Sequence, residues 1–558
     1  MTQTYKEISA IARKRRDDAL NAFFRVPDIN EDTLPRDLRS FPKTSGLLST
    51  EELEIIYSDA ETLVQRIKER KLTSVAATIA FCKAAAIAQK LTNCVTEVLF
   101  NDGLERAKYL DEYLAKHNKT IGPLHGLPLS LKDNFMTPPH PSSVGMSVHA
   151  NVPTEKESVL VDILRDLGAV FYVKTNIPTA MMMCETNNRI WGETRNPIHK
   201  GLTPGGSSGG EGAILAMRAS PLGVGTDIGG SIRIPSAFCH LYGLKPSFGR
   251  FPMWGGRPGI PGQDFIYSVC GPMAPSLGSM KLFCETVLSE ETAPWDYDPK
   301  VIPIPWRKNM IEPKGRKLRI GVLGNNDTVI TCHPPVERAL AMVKKALKDA
   351  GHDVFEWKPI AHKEILTLLG EAFDELGSSS IMPNLQAFQE PLFGAMERMF
   401  AGGKASGGKL GPEKLREMIL RRNQLQKDYL DRWLATKTET AGPMDCIIAP
   451  VAAASAARLG LGEKVDYVGY TGVANLLDLP GCTFPVTYAD KSIDHKRGSS
   501  FKALSPRDQA IQDDYDPEFY HGAPVSLQLI GRRLEEEKVV EMVEVVSEVL
   551  KFQPKPNL

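Results

Sequence analysis

The chain has 558 residues, 42% of them hydrophobic and 24% charged, the makeup of a globular protein with apolar material for a large core. Its 67 basic and 67 acidic side chains cancel, leaving none of the basic excess with which nucleic-acid binders displace counterions. Nine cysteines, an odd number with no C-x-x-C spacing, argue against a disulfide framework or a zinc knuckle and fit a reducing, cytoplasmic setting.

The first 16 residues end in a basic cluster, Arg13 to Arg16, with no apolar run behind it, unlike a signal peptide. Glu51–Arg70 carries Leu53, Ile56, Leu63, Val64 and Ile67 at largely helical spacing and predicts one amphipathic helix. Thr73 and Ser74 are placed to cap a second helix through Ala85 and Ala88. Residues 1–75 are thus expected as a helical extension ahead of a domain spanning 76–558. From Pro123 onward, short apolar runs alternate with glycine-rich turns and helical patterns; Leu127–Leu131, Ala169–Val173 and Leu222–Gly225 are the clearest. That alternation predicts an α/β fold: a large mixed, mostly parallel sheet surrounded by helices. Residues 287–316 read as a long surface connection, Leu318–Leu323 as a strand and Val336–Leu347 as a helix. About 365–436 is expected as a helical insertion, interrupted by Ala401–Gly411, whose Gly, Lys and Ser content is that of a mobile loop. Cys446–Val451 and Val525–Ile530 are further strands, and Glu535–Leu550 closes the chain as a helix. No uninterrupted apolar run reaches the roughly 20 residues of a membrane span, so no transmembrane segment is expected.

Three segments make little sense as packing alone. In Gly122–Asp133 a strand-like apolar run ends in Lys132; this is either a solvated charge or a lysine held in a poorly solvated site, where its pKa falls and it serves as a base. In Thr203–Gly212 four glycines surround Ser207 and Ser208 just before a helical stretch, so the segment is either an inert flexible loop or a pair of serines beside helix N-terminal amides. Gly205–Gly209 also spells G-x-S-x-G, but Leu202-Thr203-Pro204 is a poor strand for a nucleophile elbow. The third segment, Gly223–Pro235, misses the dinucleotide-binding spacing by one residue. It fits a strand entering a tight turn that exposes Ser231, with the amides of Ile228, Gly229 and Gly230 free to converge on one point.

Together the three segments resemble the amidase signature family, with Lys132, Ser207 and Ser231 in that family's order and at gaps of 75 (207 − 132) and 24 (231 − 207) residues. The resemblance runs from about residue 45 to the C-terminal helix. It is nearest to the fungal acetamidase branch, with fatty acid amide hydrolase more distant. The helix from Thr73 to Ala88, Tyr172-Val-Lys-Thr, Cys184-Glu185-Thr186 and Tyr520-His-Gly-Ala-Pro-Val525 all look like that branch. The resemblance implies the amidase signature fold, with Lys132 as base, Ser207 as relay behind a non-proline cis peptide, and Ser231 as nucleophile. Ile228, Gly229 and Gly230, with the Ser231 amide, would form the oxyanion hole, and Ser208, Thr226, Asp227 and Arg233 would brace the loop. The implied reaction cleaves a small aliphatic or aromatic carboxamide through an acyl-enzyme, without a histidine.

Met181, Met183 and Cys184, in a run with Met182, fit either the core or the soft wall of an acyl pocket. Of the eleven histidines, only His125 and His240 lie near the three segments, and both read as core residues or supporting hydrogen-bond partners. No H-E-x-x-H helix or EF-hand loop is present, so neither metal nor cofactor is expected. The expected partner is a small-molecule amide, not nucleic acid, and the oligomeric state is open, a homodimer included. Four other readings compete: a fatty-acid-amide-type hydrolase, an esterase using Ser207, an amidotransferase subunit that passes ammonia to a partner, and a catalytically dead binding protein, against which the intact Lys132, Ser207 and Ser231 argue.

Overall fold

The computed structural model describes residues 3–313, 315–400 and 410–551. Its framework is one sheet of eleven strands in the order β1-β3-β2-β4-β6-β5-β10-β11-β9-β7-β8. The strands are β1 (Val95–Val98), β2 (Pro128–Lys132), β3 (Val170–Thr175), β4 (Gly223–Asp227), β5 (Tyr242–Lys245), β6 (Val269–Ala274), β7 (Arg319–Leu323), β8 (Asp353–Trp357), β9 (Cys446–Pro450), β10 (Gly481–Tyr488) and β11 (Pro524–Ile530). Helices surround the sheet, as the alternating sequence predicts, but its parallel share is smaller than expected. Four pairings are parallel, β2/β3, β2/β4, β7/β8 and β7/β9, and six are antiparallel. The reason is local. Helical crossovers, which parallel neighbours require, are legible only around β2–β4 and β7–β8; β5, β6, β10 and β11 meet as antiparallel partners, which need none.

Several boundaries shift. The helix predicted over Glu51–Arg70 is two, Thr50–Ile56 and Ala60–Lys68; Asp59 is extended and starts the second. The next helix, Ser74–Thr92, begins where predicted, with Thr73 Oγ1 accepting from the Ala76 amide at 3.0 Å. Of the described helices it alone has the length and apolarity of a membrane span, and 72% of that apolar stretch is buried inside the fold. The first helix, Tyr5–Phe23, is tied to the sheet edge: Arg15 pairs with Glu97 at 2.6 Å and Arg16 donates to Val95 O at 3.1 Å, both on β1. Leu20, Ile55, Leu63 and Ile67 share one hydrophobic core with the sheet.

Residues 365–436 are helical, in His362–Ala387, Gly394–Met399 and Pro412–Leu434; of the predicted loop Ala401–Gly411, all but Leu410 and Gly411 lies outside the described residues. The 287–316 connection has no strand among its described residues, but it is more than surface. Asp298 on it is buried and accepts from the amides of Met253 and Trp254 at 2.8 and 2.9 Å.

Candidate active site

Parallel neighbours β2 and β4 end side by side, which places Lys132, the last residue of β2, against Thr226 and Asp227, the last two of β4. Openings at the carboxyl ends of parallel strands are where α/β folds hold ligands. Lys132 is fully buried. Its Nζ donates to Ser207 Oγ and Thr226 Oγ1, both at 2.7 Å, and to Thr226 O at 3.4 Å. Burial draws this lysine down to about 7, against the pull of Asp227, Glu211 and Asp133, which favour the ammonium.

Ser207 is reached through Gly205 and Gly206, and the Gly206–Ser207 peptide is cis. A Cβ on Gly206 would stand 2.5 Å from Met183 O, so the loop passes too close to its neighbour for any other residue. The chain then enters the helix Gly209–Ala216. Ser208 joins this loop to the next: its amide donates to Ser231 O at 3.2 Å, and its Oγ accepts from the Thr226 amide at 3.3 Å. Ser231 follows Gly230, whose φ of +136° and whose close approach to Thr471 Oγ1, 2.4 Å from where a Cβ would sit, both require glycine. Thr471 Oγ1 donates to Gly229 O at 2.6 Å.

Asp227 organises the turn from within. It accepts from the amides of Gly230 (2.9 Å) and Ile232 (3.2 Å), from Arg233 Nε and Nη2 (3.0 and 3.1 Å) and from Asn475 Nδ2 (2.8 Å). Burial works to raise Asp227, but Arg233, Lys245 and Asn475 outweigh it and hold the carboxyl at about 2. Arg233 also donates to Gln528 Oε1 at 2.9 Å and Asn475 Oδ1 at 2.7 Å. Thus Ser208, Thr226, Asp227 and Arg233 all lie in one buried network around the two serine loops. One expectation changes: the Gly230 amide, expected to face the same point as those of Ile228 and Gly229, is bonded to Asp227 instead.

Ser207, Thr226, Ile228 and Ser231 line a cavity of about 340 Å³, with Met181 and Met182 on its wall. Met183 and Cys184, expected there, are not among its lining residues. Met183 is buried in the core with its carbonyl over Gly206, and Cys184 faces Asp466, its thiol pushed well above the usual range by burial. Ala180 and Met181 both adopt left-handed backbone, φ +50° and +61°, so successive side chains of the run part company. Much of the remaining wall comes from Met253–Asp264; the density of Gly and Pro there marks a loop, but nothing in it marks a cavity. Glu211 is a second residue without a sequence signal. It is fully buried, accepts from Ser130 Oγ and Thr175 Oγ1 at 2.7 Å each, and is pushed by burial up to about 7.

Residues 76–540 match a family model described as Amidase. The acetamidase of Emericella nidulans is 42% identical over 556 residues, 99% of each chain. The acetamidase of Aspergillus oryzae is 40% identical over 515 residues, 91% of this chain and 92% of that one. Among solved structures, a fatty acid amide hydrolase is similar with a TM-score of 0.91 at 31% identity, covering 98% of this chain and 95% of its own.

Proposed function

The chain belongs to the amidase family and is an amidase of carbon–nitrogen bonds; from that premise we propose that it works through Ser231, Ser207 and Lys132 and an acyl-enzyme. The observation that carries this reading is the buried Lys132 Nζ, 2.7 Å from Ser207 Oγ. A lysine drawn down to about 7 has a free lone pair in a large fraction of molecules at neutral pH, so it can accept a proton. Ser207 gives its proton to Lys132 and takes one from Ser231, and the Ser231 oxygen attacks the amide carbon. Negative charge then develops on the carbonyl oxygen, and the amides of Ile228, Gly229 and Ser231 receive it. Ser207 returns a proton to the leaving nitrogen, without which an amine departs poorly. Water repeats the relay on the acyl-enzyme and releases the carboxylate.

The acyl group proposed is small, aliphatic or aromatic. Similarity to two acetamidases supports it, as does a cavity of about 340 Å³, at the low end of the roughly 300–1,000 Å³ of small-molecule sites. The likeness to a fatty acid amide hydrolase favours a longer chain as the second reading. A kcat/KM series from acetamide to decanamide separates the two.

The mechanism is tested by treating the protein with a serine-reactive fluorophosphonate and mapping the modified peptide by mass spectrometry. Label is expected on Ser231. Label on Ser207 would transfer the nucleophile's role to that residue, and an unlabelled, inactive protein would end the reading.

A further inference from the structure

A second cavity, of about 560 Å³, lies between the helix Pro412–Leu434 and the 246–268 connection. Its wall includes the apolar and aromatic Tyr429, Leu430, Trp433 and Leu479 and the stacked rings of Phe248 and Tyr267, 4.1 Å apart. Such a wall suits the body of a small organic molecule. Three arginines and one carboxylate also line it, and their pairing is informative. Arg533 is bound by Asp478 at 2.6 Å, and Asp478 uses its other oxygen to accept from the Phe248 amide. Arg532 is bound by Glu535 at 2.5 Å.

Arg422 is different. Its Nη1 donates to Phe265 O at 2.7 Å and its Nη2 reaches Asn423 Oδ1 at 3.4 Å, both neutral acceptors. Its Nε is buried with no acceptor among the described residues. The guanidinium stands 5.6 Å from the Tyr267 ring and 5.3 Å from that of Phe265. With only neutral acceptors its positive charge is left uncompensated, and a guanidinium is shaped for a carboxylate.

From Arg422, which has no carboxylate partner among the described residues, in an aromatic-walled cavity we infer a second binding site, for a monocarboxylate with an apolar or aromatic body, apart from the cavity that holds Ser231. The carboxylate meets Arg422, and the body lies against Phe248, Tyr267 and Trp433. The two cavities share one segment: Phe248 and Tyr267 flank the Met253–Asp264 stretch that walls the other. The inference does not depend on the reaction proposed above.

The test is photo-crosslinking of the full chain with 4-benzoylbenzoate, followed by peptide mapping. Label is expected on the helix Pro412–Leu434 or beside Phe248 and Tyr267. It should be competed by 4-phenylbutyrate but not by its neutral counterpart 4-phenyl-1-butanol, a comparison that needs no variant. Arg422→Met should weaken labelling about tenfold or more, the effect of losing one charged hydrogen bond, while amide hydrolysis without added carboxylate stays as in the unaltered protein. Label confined to the wall around Met181 and Met253–Asp264, equal competition by the alcohol, or undiminished labelling of an active Arg422→Met variant would each overturn the inference.

Discussion

At the scale of single residues, Lys132 carries the most chemistry, and its environment says how pH should act. Its amine sits in a fully buried position where charge is disfavoured. As the proposed base it must be neutral, so activity is gained as pH rises through the value at which the lysine loses its proton, about 7. The expected kcat/KM profile therefore has an acidic limb with a midpoint near 7; a profile flat from pH 5.5 to 8 would remove Lys132 from the role. Lys132→Ala is expected to lose about 10²–10⁴ in kcat, the usual contribution of a positioned base, with an unchanged circular dichroism spectrum. Lys132, Ser207 and Ser231 were named through the resemblance to the amidase signature family, whose order and gaps they match; taken singly, a strand-end lysine and two Gly/Ser turns each admit a bland reading. Met183 and Cys184 were not separable from Met181 by any local signal. Which member of a methionine run faces a cavity depends on backbone angles at Ala180 and Met181 that residue type does not announce.

Among the elements, helices with caps were read well and connections poorly. Thr73 illustrates the first: an N-cap hydroxyl before an alanine-rich run has one economical use, and the bond to the Ala76 amide makes it. Thr73→Ala is expected to cost about 1 kcal/mol, measured as a lower midpoint in urea with an unchanged slope; no shift would mean that the buried face of Ser74–Thr92 holds that helix end unaided. The break at Tyr57–Asp59 was missed because hydrophobic spacing continues across it: the first helix stops at Ile56, capped by Tyr57, and the extended backbone of Asp59 starts the second. The same holds for the strands. Those joined by helical crossovers declared themselves by alternation, and β11 was read as Val525–Ile530, whereas β5, β6 and β10 were not, and the antiparallel pairing of these four strands has no pattern in the sequence that encodes it. The 246–268 connection walls two cavities.

At the scale of the whole molecule, the Asp227–Arg233 pair links the turn below Ser231 to distant chain, through Asn475 and Gln528. Both members are fully buried. Removing one would leave the other uncompensated, so Arg233→Met is expected to cost about 3–5 kcal/mol, read from chemical denaturation. The pH dependence has a definite sign. Asp227 is held at about 2 in the folded protein, below the roughly 3.9 of an unfolded chain. Its contribution is thus complete above about 4 and lost as pH falls from about 4 toward 2. Arg233→Met should flatten that acid loss, and an unaltered acid transition would assign it to other carboxylates. The division of labour between sequence and fold follows from the range of the forces. The amino-acid sequence by itself determined the α/β class and, through the order and gaps of its motifs, the family from which the three polar residues of the proposed reaction are taken, because periodicity, caps and glycine-rich turns are local and survive in one dimension. The tertiary structure alone decided the antiparallel majority of the sheet, the bond that withdraws the Gly230 amide, the cavity walls, the burial that lowers Lys132, and the surroundings that give Arg422 no carboxylate among the described residues. Each of these is a property of neighbours brought together from far along the chain, and desolvation and packing depend on those neighbours rather than on residue type.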